Sequence, residues 1–324
     1  MLSIPGLEPL REAQARISGS VHRTPIVSSR TLSERVGQAV FLKCENLQKT
    51  GSFKVRGALN RVLELDDEAR SRGVVTVSAG NHAQAVAWAA ARTGTSATVV
   101  MPANASPTKA RASEGYGAEV ILQGTIMEAF DLAREVARDR GATFLHAFDD
   151  PHIVAGQGTV GLEILEELPD PTTVVVPVGG GGLISGIALA AANLAPDARV
   201  FGVEPHGACA MRKSLDVGSA VHLESVDTVA DGLGAPMAGE LTFEVVRRHV
   251  EAVVLVSDDE IGEAMAFILE RTKLLVEPAG AAAVAALLAG RVPLGDGPVV
   301  AVLSGGNVDL DRLPELLGGP GVRD

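Results

Sequence analysis

The chain has 324 residues, 46% of them hydrophobic but only 3% aromatic, and a formal net charge of -12. It is longer than one average domain and has no linker-like tract, which predicts two closely packed domains built mainly from Ala, Val, Leu and Ile, the material of helices packed on parallel strands. The negative charge excludes a nucleic-acid backbone as partner, because such binding draws on a surplus of Lys and Arg, and points to a small metabolite.

Cys44 and Cys209 are too few for a disulfide framework, and the opening residues MLSIPGLEPLREAQ lack the basic start and apolar run of a signal peptide, so a cytoplasmic location is expected. The most apolar stretch, 184–195, is too short to cross a bilayer and follows a glycine run, so it reads as a buried helix and no membrane partner is expected.

In chain order, the first clear alternation runs from Gly73 to Phe148. Strand Val74–Val77 is followed by helix 82–92, strand Ala97–Met101, helix 108–116, strand 120–122, amphipathic helix 127–140 and strand 143–147. The helices close near Gly94, Gly117 and Gly141. After Asp149 and Asp150 a second series reads helix 159–168, strand 172–178, a glycine run, helix 184–195 and strand 199–203. Then follow helix 241–250, strand 253–256, helices 261–273 and 279–289, and strand 298–303, the series ending near Asn307. The pattern predicts a three-layer α/β fold. No repeat of fixed period occurs, and the low-complexity tracts are 179–182 and the Ala-rich helix after Pro278. Residues 318–324 read as a frayed tail.

Four short segments carry candidate chemistry. In Ser52-Phe53-Lys54-Val55-Arg56-Gly57 the lysine sits between an aromatic and a β-branched residue, where desolvation lowers its pKa and a deprotonated amine can form imines. The plainer alternative is a lysine heading a surface helix. Ser78-Ala79-Gly80-Asn81-His82 falls where a strand meets a helix, the place at which α/β folds bind ligands, and its amides suit a carboxylate or phosphate. Ser78 or Asn81 could equally be an N-cap, and His82 reads as a packing residue.

Gly179-Gly180-Gly181-Gly182, between strand and helix, can converge its amides on an anion with no side chain in the way. A rival reading is a dinucleotide fingerprint, Gly180-x-Gly182-x-x-Ser185, with Glu204 about 20 residues on; the missing third glycine and the presence of Lys54 weigh against it. Ser304-Gly305-Gly306-Asn307 places a hydroxyl at another strand end, either in a plain turn or facing the same cleft.

Together, Thr-Gly-Ser-Phe-Lys-x-Arg-Gly, Ser-x-Gly-Asn-His-x-Gln, Gly-Gly-Gly-Gly-Leu and Ser-Gly-Gly-Asn, in that order, make the chain resemble fold-type II pyridoxal-phosphate enzymes, in the threonine and serine dehydratase and serine racemase branch. The resemblance covers nearly the whole chain. It implies a tryptophan synthase β-like fold with two three-layer α/β/α domains and the cofactor in the cleft between them. Residues 1–72 and 150–324 would form the large cofactor-binding domain, with 73–149 a small domain inserted in it.

The resemblance also implies roles. Lys54 is the Schiff-base lysine, Phe53 lies against the cofactor ring, Asn81 bonds the ring hydroxyl and Ser304 the pyridine nitrogen. Gly179, Gly180, Gly181, Gly182 and Leu183 hold the phosphate, Glu277 lies near the ring, and Ser78, Ala79, Gly80, Asn81 and His82 receive the substrate carboxylate. Relatives place a cation near Glu204 and the carbonyl of Ala208, with a carboxylate two residues later; Ala210 stands there, so no divalent requirement is expected and a monovalent one stays open.

The implied activity is β-elimination from a small β-hydroxy amino acid to a 2-oxo acid and ammonia. The alternative is an amino-acid racemase with side dehydratase activity, for which Ser78 is the candidate acid or base on the second ring face. A β-replacement synthase fits less well, since those relatives carry Thr-Ser-Gly-Asn-Thr where this chain has Ser78-Ala79-Gly80-Asn81-His82. A ligand-sensing module would be expected to lose Lys54. Relatives are dimers or tetramers, so a homo-oligomer is expected, without the regulatory domain of the longer biosynthetic enzymes.

Overall fold

Strands that are apolar on both faces must be covered on both, and here two such sheets form. The computed structural model describes residues 4–105, 107–168 and 170–317; the tail read at 318–324 lies outside them. In chain order the strands are β1 (Ile26–Ser28), β2 (Val40–Cys44), β3 (Val74–Val77), β4 (Ala97–Met101), β5 (Glu119–Leu122), β6 (Thr143–Phe144), β7 (Thr173–Pro177), β8 (Arg199–Pro205), β9 (Ala252–Val256) and β10 (Val299–Leu303). One sheet has the order β1-β2-β10-β7-β8-β9 and the other β5-β4-β3-β6. Every pairing is parallel except the edge pair of β1 with β2.

Alternation along the strands feeds a core on each face. From β10, Val299, Ala301 and Leu303 pack with Ala281 to Ala286 of helix Pro278–Leu288 and with helix Asp258–Thr272. Val300 and Val302 point the other way, onto Ile184 and Ile187 of helix Gly182–Leu194. In the smaller sheet, Val74 and Val99 pack with helix Asn81–Thr93, while Val75, Val77 and Val100 pack with helix Ile126–Arg140. Both sheets are therefore the middle layer of three, as the alternating pattern predicts.

Helix ends follow the local chemistry. Gly94 and Gly141 close their helices in the left-handed conformation, while Gly117, also left-handed, lies just beyond helix Pro107–Gly115. The segment read as a helix over 159–168 in fact runs Pro151–Glu167. Asp150 caps it through the amides of His152 and Ile153, and Pro151 starts it. Gly156 and Gly158, in the part of this helix that precedes the segment read from the sequence, are contact points. A Cβ on Gly156 would lie 2.6 Å from the Cα of Gly57 in helix Lys54–Leu63, and one on Gly186 would lie 2.4 Å from the nitrogen of Gly158. Backbone thus meets backbone along a row of three helices.

A buried ion cluster binds the same row. The Arg56 guanidinium donates to both oxygens of Glu45, at 2.8 Å each, and to both oxygens of Glu163, at 2.7 and 2.9 Å. Lys43 Nζ donates to Glu163 at 2.6 Å and to the carbonyl of Thr24 at 2.7 Å. Arg56, Lys43 and Glu45 are fully buried. Burial alone would push the Glu45 carboxyl up, but Arg56, with Lys43 and Thr24, holds it below the ordinary carboxylate range. Among the described residues no helix is long and apolar enough to cross a membrane.

Candidate active site

Parallel strands present all their C-terminal ends at one edge, and the loops leaving that edge converge. β7 lies next to β10, and β10 next to β2, although the chain visits them far apart. The edge thus brings together the turn that leads from β2 to Lys54, the tetraglycine run after β7 and Ser304 after β10. From the smaller sheet, β3 delivers 78–81 and β6 delivers 146–148. The loops enclose a cleft of about 950 Å³.

Lys54 opens helix Lys54–Leu63 at the floor of the cleft, half-buried, with Nζ donating to the carbonyl of Ala147 at 3.0 Å and lying 5.2 Å from the centre of the Phe53 ring. Burial pushes its pKa down to about 8, against a smaller pull upward from Glu277. The turn before it is held in place. Thr50 and Gly51 both have left-handed backbone, with φ of 55 and 73, a conformation that costs a β-branched residue about 1–3 kcal/mol. Asn307 compensates, its Nδ2 donating to the Thr50 carbonyl at 2.6 Å. Phe53 N–H donates to the Ser304 carbonyl at 3.1 Å and Gly306 N–H to the Gly51 carbonyl at 2.8 Å, so the lysine turn and the Ser304 loop move as one.

The glycine run ends at the N-terminus of helix Gly182–Leu194. Side chains are barred there: a Cβ on Gly180 would lie 2.3 Å from the Phe148 ring, and Gly181, at φ +93, would meet Met211 and Thr242. Thr242 Oγ1 donates to the Gly180 carbonyl at 2.7 Å, which fixes the peptide plane of the loop. Thr242 is held in turn by Asp149, whose carboxylate accepts the amides of Glu240, Leu241 and Thr242 at the start of helix Glu240–His249.

On the opposite wall, Asn81 Nδ2 donates to Glu277 Oε1 at 2.6 Å, and Asn81 Oδ1 accepts from Asn307 at 2.8 Å. Burial pushes the Glu277 carboxyl up to about 7, with Asn81 pulling it back. Ser78 Oγ accepts the amide of Gly80 at 3.1 Å. His82 is buried, its Nε2 3.4 Å from the Leu145 carbonyl, and burial followed by the charge of Lys54 pushes its pKa down to about 3. It stays neutral and packs. Ser304 is buried at the end of β10 with its hydroxyl 3.4 Å from the Ala279 carbonyl.

Phe53, Lys54, Ser78, Ala79, Gly80, Asn81, His82, the four glycines, Leu183, Glu277 and Ser304 all line this cleft. Glu204 and Ala208 do not. Glu204 sits on β8, fully buried, and its two oxygens accept the amides of Met211 and Arg212, each at 2.8 Å, capping helix Ala210–Val217. Burial pushes this carboxyl up to about 8. Among the described residues no group of three or more His, Cys, Asp or Glu is placed to hold a metal ion. Phe148, Asp149 and Thr242 also shape the site without having been singled out in the sequence, and Asn307 does so from the end of the Ser304 motif; Asp149 marks the end of an alternating series, and Thr242 has no local signal.

An amine whose pKa burial lowers to about 8, a glycine run at a helix N-terminus and a buried hydroxyl thus share one cleft on an α/β scaffold. The family model for pyridoxal-phosphate dependent enzymes matches residues 17–305, and the chain belongs to that family. It is 47% identical over 312 residues to an L-threonine ammonia-lyase of Thermotoga maritima, covering 96% of this chain and 78% of that one. Among solved structures, maize serine racemase superposes with a TM-score of 0.93 at 42% identity, covering 97% of each chain. The processed form of threonine deaminase isoform 2 from Solanum lycopersicum superposes with a TM-score of 0.91 at 35% identity, covering 99% of this chain and 96% of that one.

Proposed function

We propose that this chain is a pyridoxal-phosphate-dependent ammonia-lyase that takes L-threonine or L-serine to a 2-oxo acid and ammonia. The observation that carries the reading is the half-buried Lys54, with its pKa near 8, in one cleft with the tetraglycine cradle and Ser304. The residues fit the cofactor. Lys54 would hold it covalently, with Phe53 against its ring. Gly179, Gly180, Gly181, Gly182 and Leu183 would receive its phosphate, Asn81 its ring oxygen and Ser304 its ring nitrogen, with Glu277 beside the ring. We read 1–72 and 150–324 as the body that carries it and 73–149 as the inserted domain that closes over substrate.

The cofactor, when bound, supplies the electron sink for bond breaking at Cα. The protein supplies proton transfer and geometry. The amides of 78–82 at the start of helix Asn81–Thr93 orient the substrate carboxylate. Lys54 Nζ, whose pKa burial lowers to about 8, would be the base placed to take a proton from Cα of a bound amino acid, which a group titrating there does well at cellular pH. Ser304, a neutral hydroxyl buried after β10, would receive the ring nitrogen and, unlike a carboxylate, would not hold a proton there.

The similarity to maize serine racemase supports a second reading, inversion at Cα, with Ser78 on the other ring face. A panel of β-hydroxy amino acids separates the two. Oxo-acid and ammonia release from L-threonine or L-serine outrunning formation of the D-epimer supports the lyase, and the reverse order overturns it. We also propose a cytoplasmic homo-oligomer, to be tested by fractionation and by light scattering.

A further inference from the structure

We propose that Asn307 is a positioning residue that fixes which end of the Asn81 amide faces the cofactor. The inference rests on the reading of the cleft as a pyridoxal-phosphate site. An asparagine amide has a donating end and an accepting end of nearly the same shape, so its orientation is set by what surrounds it. Here the surroundings leave one choice. The carbonyl of Thr50 can only accept, so Asn307 must turn its Nδ2 toward it, at 2.6 Å. The same Nδ2 carries a second hydrogen and lies 2.8 Å from Asn81, which must therefore present Oδ1. Asn81 Nδ2 is turned to the far side, where Glu277 Oε1 accepts from it at 2.6 Å along the wall of the cleft, so Asn307 and Glu277 hold the amide from its two ends.

The chain of donors starts from an immovable point. The Thr50 carbonyl belongs to the left-handed turn ahead of Lys54, and the two asparagines lie directly against glycine backbone beside it. A Cβ on Gly51 would lie 2.3 Å from Asn307 Oδ1, and one on Gly305 would lie 3.2 Å from Asn81 Nδ2. The turn that sets the lysine thus also sets the polarity of the amide opposite it. A donor facing the ring oxygen of the cofactor favours the anionic form of that oxygen, which in the lysine-bound cofactor absorbs in the visible. An acceptor there favours the neutral hydroxyl, which absorbs in the near ultraviolet.

The test uses the full chain stripped of cofactor and titrated with pyridoxal phosphate. Asn307→Asp removes the donor and places an acceptor against Thr50 and Asn81; Asn307→Ala removes the donor without adding charge and carries the same test should the carboxylate prevent folding. The visible band should give way to the near-ultraviolet band in Asn307→Asp, with the Kd for pyridoxal phosphate rising about tenfold, the loss of one charge-assisted hydrogen bond, and should give way in part in Asn307→Ala, where Glu277 alone still draws the Asn81 amide. Because Asn307 acts on the ring oxygen through Asn81, Asn81→Ala/Asn307→Ala should match Asn81→Ala alone in its spectrum, the Kd carrying in addition the loss of the Thr50 contact. Wild-type protein that turns yellow while the Asn307 variants keep its spectrum overturns this inference alone, as do additive effects on the spectrum of the double variant. Wild-type protein that takes up no pyridoxal phosphate overturns the cofactor reading as well.

Discussion

Replacing Arg56 by Met should destabilise the cofactor-free protein by about 3–5 kcal/mol, the cost of leaving a buried charge without its partner. The size follows from what remains. Lys43 still meets Glu163 at 2.6 Å, but Glu45, fully buried, loses both N–H donors of the guanidinium and keeps only the hydroxyl of Thr24 as a side-chain partner. A loss of that size is a large share of the about 5–15 kcal/mol that holds a typical domain folded. Urea unfolding followed by far-ultraviolet circular dichroism at pH 7 measures it. Arg56→Met/Glu45→Gln removes the stranded charge as well and should be more stable than Arg56→Met alone. A single variant within about 1 kcal/mol of wild type, or a double variant as unstable as the sum of its parts, would refute the argument that the cluster is held by charge compensation.

Three further outcomes are expected. Lys54 is protonated below its pKa of about 8 and only the free amine captures an aldehyde, so the rate of pyridoxal-phosphate uptake should climb as pH rises toward about 8 and level off above it; a rate flat between pH 6 and 9, read by stopped-flow absorbance, contradicts the assignment. Thr242→Val leaves the Gly180 carbonyl and the Gly239 amide without their hydroxyl partner and should lower the stability of the cofactor-free protein by about 1–3 kcal/mol, read by urea unfolding, and weaken pyridoxal-phosphate binding about tenfold. Activity should survive EDTA, because Ala210 offers no carboxylate beside Glu204 and Ala208 and no group of three or more His, Cys, Asp or Glu gathers there among the described residues; loss of activity that magnesium or calcium restores contradicts this.

Much of this was legible because buried parallel strands announce themselves. Val174 to Val178 and Val299–Leu303 are apolar without interruption, and the motif residues lie just past their ends. Contacts distant in sequence were not legible. β2 is an ordinary run of five residues until β10, some 250 residues on in the chain, pairs with it. The helix Pro151–Glu167 was legible only from 159 on, and the reason Gly156 and Gly158 are glycine, the approach of Gly57 and Gly186, lies outside the segment. Thr242 could not be found at all, since only the fold sets it against Gly180. Glu204 was read beside a possible cation, and the structure instead gives it to the helix start at 210–212.

The central claim is that Lys54 carries the cofactor, and borohydride reduction of the yellow protein followed by peptide mass spectrometry tests it most directly. The account predicts one reduced pyridoxyl adduct, on Lys54, and no visible absorbance in Lys54→Ala. An adduct on a peptide without Lys54, or a yellow Lys54→Ala protein bleached by borohydride, contradicts it.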